Sequence, residues 1–180
     1  MHIKSLKKYF FIDEFNYSHF INLDKNISFI WRNKDKETKL ATLIKLKNFC
    51  KRNNRQFFIS NNIKLAIKIN ADGVYIPSTN KSLNVRLINS NKRFKILGSA
   101  HNFKEIKIKE MQKIEEVFIS PLFKKKSNQK LDIYKYLNLK KITKLKDISL
   151  GGINNQNIKK LKFIKPTGFA AISYFKKKGL

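Results

Sequence analysis

DISLGGINNQNIKKLKFIKPTGFAAISYF occupies residues 147–175. Two short apolar runs, 147–152 and 168–173, flank an amphipathic stretch at 155–164 in which Ile158, Leu161 and Ile164 recur at helical spacing. A strand, a helix and a second strand account for that pattern. Because the apolar runs are continuous rather than alternating, they fit parallel strands covered on both faces.

The same unit recurs back to the N-terminus. Further apolar runs lie at 8–13, 27–31, 56–60, 73–77, 94–100 and 116–123. Helical patterns fill the intervals. Residues 35–52 place Leu40, Leu43, Ile44, Leu46 and Phe49 on one face with lysines opposite. Residues 102–114 open on a capping Asn102 and turn Ile106, Met111 and Ile114 inward. Shorter helices are expected at 61–69, 80–89 and 132–145, and the connector 14–26 has room for a brief one. Eight strands alternating with helices predict an α/β fold, a compact single-domain (β/α)8 TIM barrel over residues 1–180. At about 22 residues per unit the barrel is a short one. An open doubly wound sheet is the alternative.

Composition narrows the function. The formal net charge is +28, but only five of the 40 basic residues are arginine. Lysine is spread along the chain beside abundant Asn, Ile and Phe. That argues against a dedicated nucleic-acid surface while still favouring anionic ligands. Cys50 is the sole cysteine, so there is no disulfide framework or zinc pattern, and its helical context reads as a buried small residue. No apolar run reaches membrane-spanning length, and the N-terminal apolar stretch is too short for a secretory signal, so the expectation is a cytoplasmic protein. Nothing in the chain specifies an oligomeric state.

In a barrel the functional end is the C-terminal end of the strands, and phosphate commonly binds after strands seven and eight. Gly151 and Gly152 follow the seventh run, and Ile172 and Ser173 close the eighth. Glycines there allow close backbone approach to an anion, and amides at a helix start supply positive partial charge. The competing reading is a tight strand-to-helix turn. A Gly152→Asp substitution, which puts a carboxylate into the cradle, is expected to abolish phosphate binding.

Several segments together resemble the thiamine-phosphate synthase family and its TenI-like relatives, identified by ISLGGINNQNI followed by TGFAAIS. FFID, IWRNKD, ISNNIKLAIKINADGVYIPSTN, ILGSAHN and VFISPLFKKKSNQK follow in the family's order. The resemblance implies a TIM barrel that joins hydroxymethylpyrimidine diphosphate to a thiazole phosphate with release of pyrophosphate, using magnesium. It implies that Arg32, Lys34, Ser127 and Lys130 bind the pyrophosphate and pyrimidine, that Ser99 and His101 sit at the reacting centre, and that Gly151, Gly152, Ile172 and Ser173 hold the thiazole phosphate. The family's magnesium-binding aspartates fall on Asn61 and Asn80, which weakens or removes those ligand positions. The TenI-type histidine falls on Pro121. A synthase whose lysines replace some metal charge is the leading expectation. The alternatives are a thiazole phosphate tautomerase and a non-catalytic barrel that binds thiazole or thiamine phosphate.

Overall fold

Lys7–Ile12 forms β1 because Tyr9, Phe10, Phe11 and Ile12 alternate between two apolar surroundings. Tyr9 and Phe11 point into the barrel, and Phe10 and Ile12 pack outward beneath the helices. A computed structural model describes residues 5–32, 39–87, 94–123 and 133–176. In it the remaining strands are β2 (Ile27–Trp31), β3 (Phe57–Ser60), β4 (Gly73–Ile76), β5 (Lys95–Ala100), β6 (Glu116–Ile119), β7 (Lys146–Leu150) and β8 (Gly168–Ala171). All eight pair in parallel, each with its sequence neighbour, and β8 pairs back onto β1 to close the barrel. The expected (β/α)8 barrel is therefore the observed fold, and the open sheet is excluded.

The connecting helices are α1 (Tyr17–Ile21), α2 (Leu40–Arg52), α3 (Ile63–Lys68), α4 (Phe103–Met111), α5 (Ile133–Lys141), α6 (Leu161–Ile164) and α7 (Ser173–Lys176). Short 3₁₀ turns cover Leu83–Leu87 and Ile158–Lys160. Asn16, Asn62 and Asn102 each cap a helix, their side chains accepting from His19 N, Leu65 N and Glu105 N. These short helices owe their stability to packing against the barrel, being too brief to persist alone.

The lumen is filled by Tyr9, Phe11, Ile30, Phe58, Tyr75, Leu97, Phe118, Ile148 and Ala170. Phe11, Tyr75 and Phe118 meet edge-on, with centroids 5.1 and 5.2 Å from Tyr75. The lumen is thus a packed plug, and chemistry is confined to its rim. At the opposite end Glu116 accepts from Tyr9 Oη at 2.6 Å and pairs with Lys7, which satisfies a carboxylate buried in the barrel floor.

Two helical faces differ from expectation. Leu43, Leu46, Phe49 and Cys50 of α2 are buried, but Leu40 and Ile44 are exposed. In α4, Ile106 is buried and Met111 is exposed, while the inward position one turn on from Ile106 belongs to Lys109. Five residues carry a helix about 140° past a full turn, so Ile106 and Met111 cannot share a face. Ile114, Ile158, Leu161 and Ile164 are buried as expected. Cys50 is fully buried, and burial pushes its thiol up to about 12, which makes it a packing residue and no nucleophile.

Candidate active site at the C-terminal rim

Each strand delivers its successor residues to the same end of the barrel. Arg32 follows β2 directly, its amide extending the ladder by donating to Ile12 O. Its guanidinium is held by Asp13 after β1, with Nε to Oδ1 at 3.0 Å and Nη2 to Oδ2 at 2.6 Å, and lies over the Phe11 ring. This forked geometry fixes the guanidinium plane. Lys34 lies outside the described residues, as do Ser127 and Lys130.

Asn61 follows β3 with φ 54°, a left-handed conformation that Asn tolerates better than most residues. Asn80 stands in the loop after β4 and donates through Nδ2 to Asn61 Oδ1 at 2.7 Å. Asn80 Oδ1 in turn accepts from Ser82 N at 3.0 Å. The two expected metal positions are therefore bonded to one another. Each amide oxygen already accepts a hydrogen bond and neither residue carries negative charge, so this pair does not fit a divalent cation, which demands several oxygens and prefers carboxylates. No cluster of three His, Cys, Asp or Glu able to hold a metal exists among the described residues.

Ser99 is buried on β5, and its Oγ accepts from Ser78 N at 3.0 Å. It also hydrogen-bonds the Tyr75 phenol, which burial pushes up to about 12, so the phenol stays protonated. His101, just past β5, bonds through Nδ1 to Ser120 O at 2.7 Å, and Glu105 accepts from its backbone amide. A carbonyl can only accept, so Nδ1 carries the proton in the neutral ring.

On the β7–β8 side, Gly151 and Gly152 have φ 102° and 67°. A Cβ on Gly152 would stand 2.3 Å from Phe123 O. The main chain also ties this turn to the loop after β6. Leu122 N donates to Leu150 O at 2.9 Å and Phe123 N to Gly151 O at 3.1 Å. The tight-turn reading thus accounts for both glycines by itself. Gly152→Asp would collide with the backbone whatever the ligand, so lost binding in that variant does not identify a phosphate cradle, contrary to the expectation above. Ile172 and Ser173 lie just past Ala170–Ala171, and Ala170 pairs with Leu150, which sets the two segments side by side on the rim.

The rim therefore gathers Arg32, Asn61, Asn80, Ser99, His101, Gly151, Gly152, Ile172 and Ser173 at one end of the barrel. Sequence reasoning missed Asp13 as the partner of Arg32, and it missed Lys109 and Gln112. Lys109 Nζ, fully buried, donates to Pro77 O, Asn80 O and Gln112 Oε1 at 2.9, 3.0 and 2.9 Å. The available signal was the spacing Ile106–Lys109–Gln112, which continues the inward face of α4 with polar residues.

Residues 24–175 match a family model described as thiamine monophosphate synthase. The thiamine-phosphate synthase of Prochlorococcus marinus is 33% identical over 131 residues, covering 68% of this chain and 36% of that protein. The chain thus spans little more than a third of that relative's length. The thiamine-phosphate synthase of Pelagibacter ubique is 32% identical over 158 residues, covering 83% of this chain and 74% of that protein. In fold, the chain is similar to a thiamine phosphate pyrophosphorylase from Pyrococcus furiosus, with a TM-score of 0.75 over 97% of this chain and 92% of that one at 15% identity. No helix among the described residues is long and apolar enough to cross a membrane. The family match begins ahead of β2 and runs into α7, so it takes in seven of the eight strands, and this chain belongs to the thiamine monophosphate synthase family.

Proposed function

We propose that this protein is a transferase of the thiamine-phosphate synthase type, joining hydroxymethylpyrimidine diphosphate to thiazole phosphate in the cytoplasm. The observation that carries the reading is the convergence of the candidate anion-binding positions, scattered from Arg32 to Ser173 in sequence, onto one rim. In the transfer, the bond between the pyrimidine methylene carbon and the diphosphate oxygen breaks, and its electron pair leaves with pyrophosphate. The thiazole nitrogen lone pair then forms the new carbon–nitrogen bond. Charge develops on the departing oxygens, where a fixed guanidinium such as Arg32 stabilises it most. Ser99 lies between the two halves of this rim. Its hydroxyl accepts from Ser78 N and bonds the Tyr75 phenol, which fixes its orientation. The thiazole phosphate is assigned to the backbone of Gly151–Gly152 and Ile172–Ser173. No proton leaves carbon in this transfer, so His101 acts as a positioning residue that holds the β5 and β6 ends together.

A second reading, a barrel that binds thiazole phosphate without turnover, is favoured by one observation, the replacement of two carboxylates by Asn61 and Asn80. The test is thiamine phosphate formation from the two substrates, with magnesium supplied and then chelated, beside an active homologue. Product formation is the expected outcome. Thiazole phosphate binding without product would establish the second reading instead.

A further inference from the structure

The Asn61–Asn80 contact has a direction. Ser82 N–H can only donate, so the Asn80 atom facing it is Oδ1, and the other end of that amide, Nδ2, is the one presented to Asn61. Asn61 must then answer with Oδ1. That orientation leaves the Asn61 Nδ2 amino group, a donor, outside the contact. At a rim where a metal site would display carboxylates to a cation, this chain displays neutral amides, whose N–H groups suit an anion.

The loop that carries Asn80 is already held from inside the protein. The Lys109 ammonium grips the carbonyls of Pro77 and Asn80. Gln112 Nε2 donates to Asn80 O and Ser82 O at 3.0 and 2.9 Å. Lys109 reaches this position by lying over Gly98 of β5, where a Cβ would stand 3.1 Å from its Cδ. A buried protein cation and an amide thus fix the β4 loop, and the Asn80–Asn61 bond ties it to β3.

We propose that this rim binds the diphosphate group directly, through the Asn61 amino group with Arg32 as the neighbouring cation, and with no divalent metal between the β3 and β4 ends. The proposal rests on the transferase reading and concerns its leaving-group site.

The experiment is calorimetric titration of the full chain with inorganic pyrophosphate, once in EDTA and once in excess magnesium, with manganese electron paramagnetic resonance on the same samples. Pyrophosphate is expected to bind in EDTA, magnesium is expected not to tighten it, and manganese stays unbound. Asn61→Asp replaces the donor by a like charge at a left-handed position that Asp also tolerates, and at least a tenfold loss of affinity in EDTA is expected. Asn61→Gly keeps the backbone conformation and removes the amide, and it should weaken binding in the same direction. The double variant Asn61→Asp/Asn80→Asp should acquire a bound-manganese signal. Tenfold tighter binding with magnesium in the native chain, or full affinity in both Asn61 variants, overturns the proposal while leaving the transferase reading standing. Absence of pyrophosphate binding in either buffer overturns both.

Discussion

The two sides of the rim are built from different materials. After β7 and β8 the site is made of backbone: two left-handed glycines lie against the loop after β6, Gly151 at Pro121 and Gly152 at Phe123 O, and that loop is tied down by main-chain hydrogen bonds. After β2, β3 and β4 it is made of side chains, with Arg32 on Asp13 and Asn80 on Asn61. A backbone-built site cannot change its residues without disturbing the fold. A side-chain site can exchange a carboxylate for an isosteric amide and leave every strand in place. On that argument the glycine side should tolerate fewer substitutions than the Asn side.

Substitutions on the two sides should therefore differ in kind as well as size. The largest effect is expected from Gly152→Ala. Its Cβ meets Phe123 O at 2.3 Å and its φ is 67°, so a loss of about 3 kcal/mol or outright unfolding should appear in urea denaturation. A stable Gly152→Ala protein would break the contrast. Next comes Lys109→Met, which preserves most of the volume but takes the donor from Pro77 O and Gln112 Oε1 and leaves Asn80 O with Gln112 Nε2 alone, a loss of about 2 kcal/mol. The same variant carries a pH signature. Burial lowers the Lys109 ammonium to about 8, against the opposing pull of Glu105, while the unfolded chain keeps that proton up to the usual lysine range. Stability from this group is therefore smallest below about pH 8 and rises as the pH climbs towards the ordinary lysine value. Melting curves at neutral and alkaline pH should show that rise in the native chain and lack it in Lys109→Met.

Smaller effects sharpen the side-chain half of the rim. Ser99→Ala strands the Ser78 amide and should cost about 1 kcal/mol by denaturant titration. The smallest belongs to Asp13→Asn. Its pair with Arg32 is partly exposed, so the stability change should stay below about 1 kcal/mol. Removing a carboxylate beside the rim should nonetheless raise pyrophosphate affinity about threefold at low salt, an advantage that added salt erases.

The fold was legible because parallel strands buried on both faces leave continuous apolar runs, and all eight runs from Tyr9 to Ala170 became strands. Helix faces were less legible. Leu40 and Ile44 flank the buried arc of α2 without joining it, since apolar residues also occupy exposed surface. Lys109 was passed over because nothing in its neighbours announces that three carbonyl-type oxygens from a distant loop and from Gln112 converge on it. The Asn61–Asn80 bond was hidden for the same reason. Each residue looked like a lost ligand in isolation, and only the closure of the barrel brings the ends of β3 and β4 together.

That closure has a consequence for synthesis. β1 pairs with β2 on one side and with β8 on the other, so its second edge has no partner until residues 168–171 have left the ribosome. Until then the aromatic strand KKYFFI presents unpaired amides and carbonyls beside Tyr9, Phe10 and Phe11. The growing chain is thus most prone to aggregate just before its last strand emerges, and ribosome-bound chains halted ahead of Gly168 should need a chaperone that chains halted beyond Lys176 do not.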